Sequence, residues 1–207
     1  MGSTPADASI MPADGRNHFA FSASAFLRAL AIVHAVAFVS FWIQLPGLVG
    51  PNGILPASRF LAAVHQQLGA DAYLALPTLC WIFGTDVFPH VLCAAGVVAA
   101  VLLFLGVLPA VSLAVLWICY LSLVGIGQIF LSFQWDILLL ETTWLSVLLA
   151  PNSVRPGWRL AEPPTLARWL LIWLLFRLMF LSGMVKLTSG DPTWRNLTAL
   201  NYHFETQ

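Results

Sequence analysis

The sequence predicts an all-α protein: a multi-pass transmembrane helical bundle of about five crossings, with an interfacial amphipathic helix and a short re-entrant or interface segment. Three observations carry that expectation. Of the 207 residues, 59% are hydrophobic and 9% charged, where an ordinary globular domain has roughly 45–50% and 25%. No Asp, Glu, Lys or Arg occurs between Asp86 and Asp136, and Ala25–Ile43 is an apolar run long enough to cross ~30 Å of hydrocarbon. So few charges cannot cover a soluble domain, and the mean hydropathy of +0.85 makes lipid the solvent. A formal net charge of zero and a pI near 6.9 exclude nucleic acid as a partner.

Residues 1–24 are Ser/Ala/Asp-rich with no apolar stretch, and read as a disordered cytoplasmic tail. A secretory signal would place its apolar region here, so Ala25–Ile43 is expected to stay as the first membrane helix. Residues 25–187 then form the transmembrane domain. From Gln44 to Pro56, prolines and glycines (Pro46, Gly47, Gly50, Pro51, Gly53) dictate a loop. Ala57, Phe60, Leu61, Val64 and Leu68 follow helical spacing with Arg59, His65, Gln66 and Gln67 between them, which predicts an amphipathic helix on the membrane or against the bundle. Ala72–Phe83 is apolar but too short to span, and contains Pro77; it suits a re-entrant or interface-packed segment.

The charge-free stretch is too long for one crossing, and Gly106-Val107-Leu108-Pro109 is the hairpin that divides it into helices at Val91–Leu108 and Ala110–Phe130. A shorter fourth helix, Gln134–Ala150, stops at Pro151-Asn152. A polar, proline-rich connection (Arg155, Pro156, Arg159, Pro163, Pro164) leads to the fifth, Leu166–Leu187. Asp191 as cap with Pro192 in the first helical position starts a short helix in an extracytoplasmic tail, residues 188–207. No internal repeat supports an inverted-repeat transporter design. With five crossings, Arg16, Arg28, Arg155, Arg159 and Arg168 lie on the N-terminal side, against Arg59, Lys186 and Arg195 on the other. The bias favours a cytoplasmic N-terminus.

That orientation gathers Gln44, Gln134, Asp136 and Lys186 into a polar cluster at the outer face. Glu141 and Arg177 lie deeper, about 10 and 15 Å along their helices at 1.5 Å per residue. Isolated intramembrane charges cost ~2.5–3.5 kcal/mol each even on lenient insertion scales, so the two are expected to face inward as an intramembrane polar pair. A structural ion pair, a pocket for a headgroup or polypeptide, and a catalytic carboxylate all remain open for them. The five histidines show no ligand spacing, so neither a metal nor any other cofactor is expected. There is no Gly-x-Ser-x-Gly elbow and no phosphate-binding glycine loop, so no catalytic residues are assigned. Cys80, Cys93 and Cys119 read as small core residues.

Three separated motifs then stand in order. Gln44-Leu45-Pro46-Gly47-Leu48 with Gly53-Ile54-Leu55-Pro56 comes first, and Gln134-Trp135-Asp136 with Leu138-Leu139-Leu140-Glu141-Thr142 second. The third is Lys186 with Ser189-Gly190-Asp191-Pro192-Thr193-Trp194, followed by Leu197-Thr198-Ala199-Leu200-Asn201-Tyr202-His203-Phe204-Glu205-Thr206-Gln207. From about residue 26 to its last, the chain resembles the lipase maturation factor family, which is distantly similar in its membrane region to vitamin K-dependent carboxylase-like proteins. The resemblance implies a membrane-embedded factor that assists folding and assembly of secreted proteins, lipases among them. It also implies an endoplasmic reticulum membrane in a eukaryote, or the inner (plasma) membrane in a bacterium, the source that the Ala/Leu/Trp-rich style suggests. The expected partners are the bilayer and a secreted lipase or other exported client. Asp191, Trp194, Asn201, Tyr202, His203 and Glu205 are the candidate client-contact residues in the tail. The chain departs from the family in carrying Thr143 where a glycine is usual after Glu-Thr. Family members also continue past Glu-Thr-Gln, so the tail is expected to open a longer region. The alternative reading is a membrane enzyme of the carboxylase-like type, with Lys186 or Glu141 as base on a lipid-soluble substrate; a bare scaffold is a third.

Overall fold

The computed structural model describes residues 17–150 and 163–201. Every described element is helical: α1 Asn17–Leu48, α2 Ala57–Leu68, α3 Ala72–Ala75, α4 Cys80–Phe83, α5 Phe88–Leu105, α6 Pro109–Gly127, α7 Gln134–Leu149, α8 Thr165–Thr188 and α9 Pro192–Arg195, with short 3-10 turns at Gly69–Asp71 and Gln128–Leu131. This is the expected all-α bundle. In hydrocarbon no water can satisfy a backbone N–H or C=O, so an apolar chain of this composition closes its hydrogen bonds within helices. Among the described residues, Phe19–Leu48, Phe88–Leu105, Pro109–Leu131 and Thr165–Thr188 are long and apolar enough to cross a membrane. The α7 helix, at 16 residues and about 24 Å, is the short member expected from the sequence. The chain forms two compact units, residues 1–167 and 168–207.

In the first unit, α1 packs chiefly on α5, α5 on α6, and α6 on α7. Lipid tails are as apolar as leucine, so burial of apolar area does not drive these contacts; close van der Waals packing does, and small residues permit it. The buried face of α5 shows this: Leu92, Cys93, Gly96, Ala99, Ala100 and Leu103 recur at three- and four-residue spacing. The Phe38 ring, fully buried, fills the space over Gly96. On α6 the inward stripe is Leu113, Leu116, Tyr120, Leu123 and Ile126. Cys80, Cys93 and Cys119 are buried free thiols. The α5–α6 hairpin closes at Gly106, whose φ of 76° is the left-handed conformation glycine reaches without strain. Val107 N–H returns to Leu102 O (2.9 Å) and Gly106 N–H to Leu103 O (3.0 Å), so two of the last carbonyls of α5 are satisfied.

The largest boundary differences from the sequence reading fall on the first helix. The first helix begins at Asn17, inside the expected tail, and runs through Pro46 to Leu48. It continues past the proline because the following loop folds back over its end. Ile54 N–H bonds Gly47 O, Leu55 N–H bonds Leu48 O and Ala57 N–H bonds Val49 O, each at 2.9 Å. Those are carbonyls a helix end leaves open. Gly50 and Gly53 allow the fold-back, since a Cβ at Gly50 would lie 2.5 Å from Pro46 O and one at Gly53 2.9 Å from Leu48 C. The Gln128 amide donates to Leu55 O at 3.0 Å and ties the loop to the end of α6. The expected connection at Arg155, Pro156 and Arg159 lies outside the described residues.

Helix α8 runs 24 residues, beginning at the end of the first unit and making up most of the helical part of the second. Beyond it α9 is capped by Asp191, whose carboxylate accepts from Thr193 N–H at 2.9 Å.

Candidate functional site

A groove of about 580 Å³ runs between α1 and α7. Its lower walls are apolar, with Val33 and Ala37 from α1 facing Leu138 and Leu139 from α7; its upper end carries Ser40, Gln44, Trp135 and Asp136. The local sequence makes this polarity. Ser40 and Gln44 are one helical turn apart on α1, and the Gln44 amide nitrogen bonds Ser40 O (3.0 Å) and Ser40 Oγ (3.2 Å).

Asp136 is 3% exposed. A buried carboxylate needs partners for its oxygens, and both are engaged. Tyr120 Oη donates to Oδ1 at 2.6 Å, and the Phe133 N–H donates to Oδ2 at 3.2 Å. The second bond caps the N-terminus of α7, where a negative charge also meets the positive end of the helix dipole. The first ties α7 to α6.

Tyr120 belongs to a buried aromatic knot. Its ring lies edge-on to His34 and Phe38, with centroids 5.8 and 5.6 Å away, while His34 stacks on Phe38 at 5.9 Å. His34 reaches Thr143 Oγ1 at 2.7 Å. The Thr143 hydroxyl has one proton, which it gives to Leu139 O at 2.6 Å. It therefore accepts from His34, which assigns the Nε2–H tautomer from the network. His34 Nδ1 is buried and has no hydrogen bond among the described residues. The carboxylate and the hydroxyl both serve helix ties.

Of the residues singled out in the sequence, Gln44 and Asp136 are brought together at the groove. Gln134 is exposed at the start of α7, outside the groove lining. Glu141 is half-buried on α7, in the first unit, and Arg177 lies on α8, in the second. Lys186 lies 4.8 Å from the Trp194 ring centroid, a cation–π contact that turns α9 back toward α8. Asp191 is the α9 cap, with Thr193 Oγ1 donating to the same carboxylate oxygen at 2.8 Å. The Thr193 backbone bond and this hydroxyl bond hold its carboxyl below the ordinary value of 3.8. Asn201 is exposed; Tyr202, His203 and Glu205 lie outside the described residues. Sequence reasoning gives no site role to His34, Tyr120, Thr143 or Gln128. The available signals are the position of Tyr120 and Gln128 as large polar groups in the charge-free stretch, and the departure from glycine at Thr143.

The family model described as the lipase maturation factor transmembrane domain matches residues 21–207. Lipase maturation factor 2 of Gallus gallus is 46% identical over 193 residues, covering 88% of this chain and 27% of that protein. For lipase maturation factor 2 of Homo sapiens the identity is 44% over 200 residues, with 88% and 28% covered. Lipase maturation factor 1 of Bos taurus is 36% identical over 195 residues, with 87% and 34% covered. The chain thus spans about a quarter to a third of the length of these curated relatives. No solved structure matches.

Proposed function

The chain belongs to the lipase maturation factor family, and we propose that it is a membrane-embedded maturation factor assisting the folding of secreted proteins, lipases first among them. The observation that carries this reading is the match of the family's transmembrane domain over residues 21–207. In a eukaryote its place is the endoplasmic reticulum membrane, and in a bacterium the plasma membrane. The reading is non-enzymatic: Asp136 is committed to Tyr120 and the α7 cap, and Lys186 to the Trp194 ring. The motifs around Gln44 and Asp136 support it as builders of one rigid, polar bundle end that faces the exported client.

Client contact is assigned to that end and to the tail. Asp191, Trp194, Asn201, Tyr202, His203 and Glu205 combine aromatic area with directional carboxylates, a mixture suited to gripping a polypeptide. Glu141 and Arg177 are proposed as intramembrane partners on the ground of their depth along the chain and the cost of an isolated charge there. The test is co-expression with a secreted lipase in cells lacking their own factor, reading lipase activity per mass of lipase secreted. Asp191→Ala and His203→Ala should lower that ratio severalfold with this protein's abundance unchanged, and Lys186→Met should do no more harm than they do. Loss with Lys186→Met alone, the tail variants being silent, would overturn the reading in favour of chemistry at the lysine.

A further inference from the structure

The connection between α2 and α5 does more than join them. Its tip, Leu76–Leu79, is non-helical and docks on the side of α6 rather than above it. Thr78 Oγ1 donates to Ser122 O at 2.9 Å, and Leu79 N–H donates to Ser122 Oγ at 3.3 Å. A Cβ at Gly125 would lie 3.2 Å from Thr78 Cβ, so this glycine admits the tip. Ser122 is five residues before the end of α6, about 7.5 Å down its axis, on a helix long and apolar enough to span. Irregular backbone at membrane depth survives only where protein satisfies its polar groups, and the two hydroxyls do so here. Trp81 Nε1–H closes another, bonding Leu76 O at 2.9 Å.

Between this hairpin and α6 lies a cleft of about 350 Å³, lined by Tyr73, Trp81, Ile82, Trp117, Ile118 and Leu121 among others. That volume is within the range of small-ligand sites, about 300–1,000 Å³. Trp117, ten residues before the end of α6, is backed by Trp144 with ring centroids 5.0 Å apart, so the deep wall is rigid. Tyr73 and Trp81 make the upper wall, edge to face at 5.2 Å. The hydroxyls of Thr78 and Ser122 and the Trp81 indole N–H at the cleft are bonded to protein, and the lining is chiefly apolar. Its rim continues into Leu74, Ile82 and Ile118, at 86%, 73% and 43% exposure. Ile118 stands on a helix long and apolar enough to span, where such a side chain meets lipid, and Leu74 and Ile82 are exposed on the hairpin beside it. We propose that the cleft between the Tyr73–Ile82 hairpin and α6 is a docking site for one acyl chain of a bilayer lipid, drawn from the leaflet at the end of the bundle where α1 finishes. Aromatic walls on two sides replace mobile neighbouring tails with many fixed dispersion contacts, which orders the chain there. This inference is independent of any client.

The experiment reconstitutes the full chain in phosphatidylcholine vesicles containing a phosphatidylcholine with a diazirine near the end of one acyl chain. After irradiation, adducts are mapped by peptide mass spectrometry. Adducts should concentrate on Trp81–Ile82 and Trp117–Leu121, severalfold over Val98 and Val101, which are exposed on α5. Filling the cleft with Ile118→Phe and Leu121→Phe should abolish the enrichment while labelling of Val98 and Val101 stays constant, which also reports an intact bundle. Enlarging it with Trp117→Ala should move the adducts deeper along α6. Uniform labelling of all lipid-facing positions, or enrichment indifferent to both variants, would overturn the proposal.

Discussion

Gly96 has no room for a side chain: a Cβ there would lie 2.5 Å from the Phe38 ring. Phe38 in turn holds His34 and Tyr120, so one hydrogen at position 96 supports the buried polar network three helices deep. Gly96→Val should destabilise the bundle by about 1–3 kcal/mol, the usual cost of overpacking a filled core, read as a lower midpoint of unfolding in detergent. Adding Phe38→Leu should recover part of the loss, because it removes the clashing ring. A Gly96→Val protein as stable as the parent would show that the α1–α5 contact is looser than described. None of this is legible from position 96 alone, since a glycine in an apolar run is equally a lipid-facing residue.

At the scale of the element, α9 is a helix of 4 residues held by its cap. The Thr193 backbone N–H and then its hydroxyl stabilise the Asp191 carboxylate and depress its pKa below 3.8. A depressed carboxyl favours the capped state at neutral pH and loses that effect as pH falls through the lowered value. The Thr193 amide resonance in micelles should therefore stay put down to the ordinary carboxylate range and shift only below it. Movement within that range would deny the cap. The proposed partnership of Glu141 with Arg177 has its own test: folded yields of Glu141→Gln, Arg177→Met and the double variant. Removing one partner leaves the other uncompensated, so the double variant should fare better than the sum of the singles. Strictly additive losses would separate the two residues.

For the whole molecule the testable property is topology. An odd number of crossings puts residue 4 and residue 193 on opposite sides. Thr4→Cys and Thr193→Cys, each in a chain with Cys80, Cys93 and Cys119 replaced, should label oppositely with an impermeant thiol reagent in sealed vesicles of known orientation. Equal labelling would mean an even number, with α7 failing to cross. That is the physical alternative, because its length of about 24 Å falls short of ~30 Å of hydrocarbon and only local thinning or packing on α6 makes up the difference.

Composition, charge-free length and turn chemistry suffice for the membrane solvent, the all-helical class, the Gly106 hairpin and α2, because each depends on local chain properties: hydropathy per residue, helical spacing, and the backbone freedom of glycine. Motif order suffices for the family. Tertiary structure alone decides the rest. Asp136, read as part of an outer polar cluster, becomes a helix tie when Tyr120, 16 residues away, donates a hydrogen bond to it. Thr143, a departure in one motif, acquires its role from His34, 109 residues distant. Thr78 docks on the side of α6 because Ser122 and Gly125 make a place for it there. Hydrogen bonds between helices depend on which faces meet, and in lipid those faces are chosen by close packing, which a linear pattern of apolar residues does not encode.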